Sequence, residues 1–197
     1  LRIEDAIRSA KMDYYGKFAQ KKVPSTNVYL VAQADHDLQT AISAILKNSN
    51  NFVAETVFKL AGGKYVNNTG SLANSQKMLN NYFDKLSLNY ENIKIVDGSG
   101  VSKNNLMTTD FMTEFLSKQE VIDTLKPELP TSGEGTLKNR MLYFKDNLRA
   151  KTGTLSDVSA IAGYITSRTG RTYAFDIMIN DPKSKSNDKK SLEEYVL

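Results

Sequence analysis

Residues 148–180, LRAKTGTLSDVSAIAGYITSRTGRTYAFDIMIN, decide the fold. Three runs rich in strand-forming residues, Leu148 to Leu155, Val158 to Thr166 and Tyr173 to Asn180, are separated by short gaps. Arg168-Thr169-Gly170-Arg171 has the composition of a hairpin turn, so these strands are expected to be sequential and antiparallel. Upstream the period changes from two to about 3.6. Ile3, Ala6, Ile7, Ala10, Tyr14 and Phe18 keep helical spacing until Pro24-Ser25-Thr26, and 27–34 reads as a short extended segment. Leu38, Ala41, Ile42, Ile45 and Leu46 form a second helical face with Asp37 as its cap. A third helix carries Phe52, Val53, Val57 and Leu60 and is expected to stop at Gly62-Gly63; a fourth carries Leu72, Leu79, Tyr82, Phe83 and Leu86. Ile93 to Val96 is a short β-like run, and Thr108 or Thr109 can cap a helix bearing Phe111, Met112, Phe115 and Leu116. Helices first and strands last imply an α+β arrangement, not alternating βαβ units.

Composition narrows the function. A chain of 197 residues that is 40% hydrophobic can bury a sizeable core. The net charge of +4 is spread along the chain with no basic stripe interleaved with aromatics, which argues against nucleic acid. There is no cysteine, so disulfides, thiol nucleophiles and Cys-ligated metals are excluded from these residues. The single histidine, His36, sits between Asp35 and Asp37 and reads as a solvated residue at a helix start, so serine chemistry here would use lysine as its base. No apolar run is long enough to span a membrane, neither motif discussed below has metal-ligand spacing, and no cofactor is expected.

Two short motifs carry candidate chemistry. Ser102-Lys103-Asn104 follows the turn cluster Asp97-Gly98-Ser99-Gly100, and Lys151-Thr152-Gly153-Thr154 opens the first closing strand. In the second, an ammonium and a hydroxyl can hold an anionic terminus, while Gly153 lets a substrate lie against the strand edge. Alone, a Lys-Thr-Gly triplet is weak, and its bland reading is a hairpin strand with a solvated lysine. Order, context and the 49 positions from Ser102 to Lys151 change that reading.

The segments 95–106 and 150–164 resemble the Ser-x-Asn and Lys-Thr-Gly regions of the class C low-molecular-mass penicillin-binding proteins, the serine D-alanyl-D-alanine carboxypeptidases/endopeptidases. Lys47 to Glu55 and Gly133 to Arg140 are similar to further family segments, and the likeness runs in order from about Leu38 to Asn180. The resemblance implies the penicillin-recognising serine hydrolase fold, an antiparallel sheet flanked by helices. It implies that Ser102 relays a proton to the leaving D-alanine and that Asn104 binds the substrate amide or positions the base. Lys151 and Thr152 would bind the terminal carboxylate, and the backbone N–H of Thr154 would supply half of an oxyanion hole. For Asn50 and Asn51, a helix junction with satisfied side chains competes with a site role.

The family's nucleophile is the serine of a Ser-x-x-Lys motif. Here only Ser186 to Lys189 has that spacing, in a polar run after the Lys-Thr-Gly motif, where no apolar helix is expected to set its geometry. The reading is therefore of 1–197 as the C-terminal portion of a transpeptidase-like catalytic domain whose nucleophile lies outside it. Its parts are a lead-in helix (1–26), a helical part (27–92), the Ser-x-Asn region and loop (93–145), closing strands (146–180), and an exposed tail with a terminal helix from Ser191 (181–197). Peptidoglycan peptides and β-lactams are the implied partners, and periplasm or cell wall the implied location. The competing readings are a non-catalytic peptidoglycan-binding relative and a β-lactamase.

Overall fold

A computed structural model describes residues 3–17, 22, 29 and 35–197, in two units, Leu1–Asp35 and His36–Leu197. The first unit holds α1, Ile3–Ser9, with an Arg8–Glu4 ion pair at 2.9 Å. The helical periodicity reaching to Phe18 is not realised as one helix. Lys11 takes a left-handed φ of 52° and the Met12 N–H donates back to the Ile7 carbonyl, closing the helix end as a Schellman-type cap. Phe18 itself and, Tyr29 apart, the extended segment expected at 27–34 lie outside the described residues.

The second unit begins with α2 (Leu38–Leu46), α3 (Asn51–Tyr65) and α4 (Leu72–Lys85), each opened by a side-chain cap. Asp37 caps α2 as expected, accepting from the Thr40 N–H at 2.7 Å, and Asn50 and Ser71 cap the next two. The glycines expected to end α3 do not: the helix runs through Gly62 and Gly63 to Tyr65. Their task is packing. A Cβ on Gly62 would stand 2.4 Å from the backbone N of Ser75, so the missing side chain is what lets α3 and α4 touch. Ser75 is fully buried there, its hydroxyl donating to the Phe58 carbonyl at 2.8 Å.

Residues 93–96 form no strand; they make one antiparallel bridge, Lys94 to Leu106, which closes the turn-rich loop between them. Thr108 caps α5 (Thr109–Ser117), and α6 (Gln119–Leu125) follows. Short 3₁₀ turns at Lys126–Glu128, Gly135–Leu137 and Leu142–Asn147 lead into the sheet. The closing strands are β1 (Leu148–Thr154), β2 (Val158–Thr166) and β3 (Thr172–Asn180), antiparallel in the order β1-β2-β3.

Strand alternation sends side chains to two cores. Leu148, Ala150 and Ile161 pack with Leu137 and Met141 on one face. On the other, Tyr164 packs with Leu116, Val121 and Leu129 of the helical layer, its hydroxyl donating to the Leu116 carbonyl at 2.9 Å; burial pushes this phenol up to about 12. Leu137, Leu148 and Ile161 have no exposed surface, each contributing about 1.5–3 kcal/mol relative to an exposed side chain.

The C-terminal segment departs from the expected exposed tail. The last helix, α7, starts at Ser186 and runs to Val196. Lys189 is only 2% exposed because its ammonium donates to the Asp181 carbonyl at 2.7 Å, and Glu193 is fully buried. Ser186 and Lys189 thus do open a helix, which the polar composition concealed, but this lysine is tied to backbone.

Candidate active site

The Lys-Thr-Gly segment occupies the end of β1, on the strand side that β2 leaves free. A Cβ on Gly153 would meet only the Ala160 Cβ, at 3.8 Å, so the backbone there is open to a ligand. Lys151 is half-buried and its ammonium donates to two oxygens, Ser49 Oγ at 2.6 Å and the Thr152 carbonyl at 2.6 Å. Burial lowers the Lys151 pKa from its ordinary value, because the charged form loses water. Thr152 is buried and donates from Oγ1 to Thr136 Oγ1 at 2.8 Å.

Three turns bring partners to that strand. Ser49, between α2 and α3, takes a left-handed φ of 55°, while the exposed Asn50 uses its side chain to cap α3, accepting from the Val53 N–H at 3.1 Å. That leaves Ser49 and Asn51 on the same cavity as Lys151. Gly135, at φ 49°, comes so close to the Lys47 carbonyl that a Cβ would stand 2.2 Å from it; the neighbouring Thr136 N–H donates to the same carbonyl at 3.1 Å. The third turn, Ser99-Gly100-Val101, is organised by Asp97. Burial would raise this carboxyl, but the Ser102 N–H at 2.8 Å, the Gly100 N–H and the Ser99 hydroxyl all donate to it and hold it low.

Together these turns and β1 enclose a cavity of about 710 Å³ lined by Ser49, Asn51, Ser99, Thr136 and the four residues Lys151, Thr152, Gly153 and Thr154. Arg140 and Lys190 add two cations. Arg140 is held from behind by the buried Glu193 at 2.6 Å and by Glu194 at 3.3 Å, so α7 is clasped to the site. A basic, half-enclosed site with hydroxyls and a strand edge can hold a peptide that ends in a carboxylate.

The expected Ser102 and Asn104 do not line this cavity. Ser102 is half-buried and its hydroxyl accepts from the Asn104 N–H at 3.2 Å, a local turn that uses the serine on its own backbone, while Asn104 is exposed. Lys103, between them, pairs with Asp157 at 2.8 Å and ties this loop to the turn after β1. The Ser-x-Asn triplet that reaches Lys151 is Ser49-Asn50-Asn51. Its signal was present in the sequence, as a triplet of the same pattern inside a segment already set apart. Local reasoning could not rank it, since its bond to Lys151 spans 102 positions. Thr136 and Arg140 lie in the segment 133–140, set apart by the resemblance without a role for either, and Lys190 had no motif of its own.

A family model described as the D-Ala-D-Ala carboxypeptidase 3 (S13) family matches residues 2–196. The chain is 26% identical over 186 residues to the D-alanyl-D-alanine carboxypeptidase DacB of Haemophilus influenzae, covering 90% of this chain and 39% of that protein. It is 30% identical over 191 residues to a D-alanyl-D-alanine carboxypeptidase of an Actinomadura species, covering 90% and 35%. The chain therefore spans less than half the length of these curated relatives. The crystal structure of penicillin binding protein 4 from Haemophilus influenzae, complexed with a β-lactam, superposes with a TM-score of 0.75 at 24% identity over 98% of this chain and 49% of that one. A TLA-1 extended spectrum β-lactamase superposes at 0.60 with 18% identity, covering 81% and 61%. The fold is the penicillin-recognising serine hydrolase fold.

Proposed function

The chain belongs to the D-Ala-D-Ala carboxypeptidase 3 (S13) family, and from that premise we propose that its protein is a penicillin-binding serine D-alanyl-D-alanine carboxypeptidase/endopeptidase of the bacterial periplasm or wall. The observation that carries the reading is the 2.6 Å bond from Lys151 Nζ to Ser49 Oγ on an open strand edge.

In this reading, a serine hydroxyl from a part of the protein outside these residues attacks the carbonyl carbon of the penultimate D-alanine of a stem peptide. The C–N bond to the terminal D-alanine breaks, and the proton leaving the serine is returned to the departing amine. Ser49 and Lys151 form the relay, since a lysine with a lowered pKa both gives and accepts a proton more readily near neutral pH. The Thr154 N–H faces the developing oxyanion, and Thr152 and Arg140 hold the terminal carboxylate. Asn51 binds the peptide amide. Water then hydrolyses the acyl-enzyme. Ser49 and Asn51 take the roles first assigned to Ser102 and Asn104, which act in the turn beside the site.

Intact mass after incubating the full-length protein with a penicillin tests the reading. A stoichiometric adduct that persists for many turnovers' time supports it. A folded protein that gains no mass is a binding protein without acyl chemistry, and rapid loss of free β-lactam without a lasting adduct identifies a β-lactamase.

A further inference from the structure

At the other end of the sheet lies a second cleft, of about 740 Å³, that the proposed chemistry does not use. In the β1–β2 register Thr154 pairs with Ser159 and Leu148 with Ile165, so the cleft beside Ile165 is displaced from the Thr154 end by about 20 Å of strand. Two tyrosines stand in it with faces bared, Tyr143 at 77% and Tyr173 at 51% exposure. Tyr143 is held in place. The Arg168 guanidinium donates to the Tyr143 hydroxyl at 2.9 Å, and Phe144 packs edge-on against the Tyr143 ring at 5.7 Å. Lys145, which also lines the cleft, sits at φ 48° and ψ −131° inside the 3₁₀ segment, a conformation that non-glycine residues rarely take.

Arg168, Lys145, Asn147 and Ser167 supply donors around the rings, and no acidic side chain among the described residues lines the cleft. Exposed tyrosine rings, that of Tyr143 fixed by Arg168 and Phe144, with donors at their margins suit a ligand with alternating apolar faces and polar edges. They do not suit an extended peptide, which is recognised through a strand edge. Single-stranded nucleic acid also stacks on aromatics, but it needs a cationic groove along its backbone, and two cations here do not make one.

We propose that this cleft binds the glycan strand of the wall, amino-sugar rings stacking on Tyr143 and Tyr173 and their hydroxyl and acetamido oxygens accepting from Arg168, Lys145 and Asn147. The proposal rests on the reading of the protein as a wall enzyme and deepens it: one end of the sheet holds the sugar backbone while the other receives the peptide.

The test measures retention of the full-length protein on immobilised, peptide-free glycan strands, with the rate of acylation by a penicillin recorded in parallel. Wild type is expected to be retained, and Tyr143→Ala with Tyr173→Ala to bind at least tenfold more weakly while acylation stays within twofold. Arg168→Ala gives a smaller loss, and Tyr143→Phe keeps binding because the ring remains. The proposal is overturned if folded wild type is not retained, if the double variant binds like wild type, or if free stem peptide or a single-stranded oligonucleotide displaces the protein more effectively than soluble glycan. Retention without any acylation would sink the catalytic reading and leave the cleft standing.

Discussion

Lys151 illustrates how one side chain acquires a function from its surroundings. A lysine on a solvated hairpin would keep its ordinary pKa and bind nothing in particular. Here half-burial depresses the pKa, and Ser49 and the Thr152 carbonyl fix the ammonium in place. The same logic separates the two Ser-x-Asn triplets. Ser49 points its oxygen at Lys151 across the cavity, whereas Ser102 spends its oxygen on the Asn104 N–H. Ser49→Ala should therefore slow penicillin acylation of the full-length protein by about a hundredfold, in the range typical of lost proton transfer, while Ser102→Ala changes it by less than about threefold. Stopped-flow acylation rates of the two variants compare them directly; equal losses would return Ser102 to the site. Nothing in a triplet's letters distinguishes these cases.

At the scale of elements, the helices and strands were mostly legible. The three strands appear within about a residue of their expected limits, because alternation and a Gly-bearing hairpin are local signals. The caps at Asp37 and Thr108 were legible for the same reason. Gly62-Gly63 was misread, since a glycine pair ends a helix when exposed and admits a neighbour when buried, and only packing tells the two apart. Gly62→Ala is thus expected to destabilise the protein by about 1–3 kcal/mol despite alanine's better helix propensity, because its methyl would overlap Ser75. Urea denaturation measures this; a gain in stability would mean that Gly62 serves no close approach. The tail expected to be exposed from Asp181 to Lys190 was misread in part: Pro182, Lys183 and Lys185 are exposed, but α7 begins at Ser186 and buries Lys189. Its lysines and serines look solvated, yet Arg140 pairs with Glu193 and the Asp181 carbonyl accepts from Lys189, partnerships that hide both charged groups of α7.

Across the described residues, the carboxylates act on stability in two opposite ways. Asp97, Glu55, Glu134 and Asp157 are held low by hydrogen bonds or lysines, so they contribute stability above their unfolded pKa values that is lost as acid protonates them. Asp176 on β3 does the reverse. Both of its carboxylate oxygens are buried with no hydrogen-bond partner among the described residues, and burial raises its pKa from 3.8 to about 6. Its folded form binds the proton more tightly than its unfolded form. Its penalty is then full above about pH 6, shrinks as pH falls through that value, and is gone below 3.8. Asp176→Asn should stabilise the protein at pH 7 by about 1–3 kcal/mol, with the gain fading by pH 4.5. Chemical denaturation of both proteins at the two pH values checks the sign; a pH-independent difference would mean that Asp176 has a partner.

By itself the sequence determined the α+β order, the antiparallel closing hairpins, most helix faces and the Lys-Thr-Gly strand, all of which depend on residues a few positions apart. The tertiary structure alone decided which serine meets Lys151, that Arg140 and Lys190 border the same cavity, and that Gly62 packs instead of capping. The physical reason is range: periodicity and turn chemistry act within a few residues, whereas a bond between positions 49 and 151 exists only after the α2–α3 junction and β1 have each been placed by their own cores.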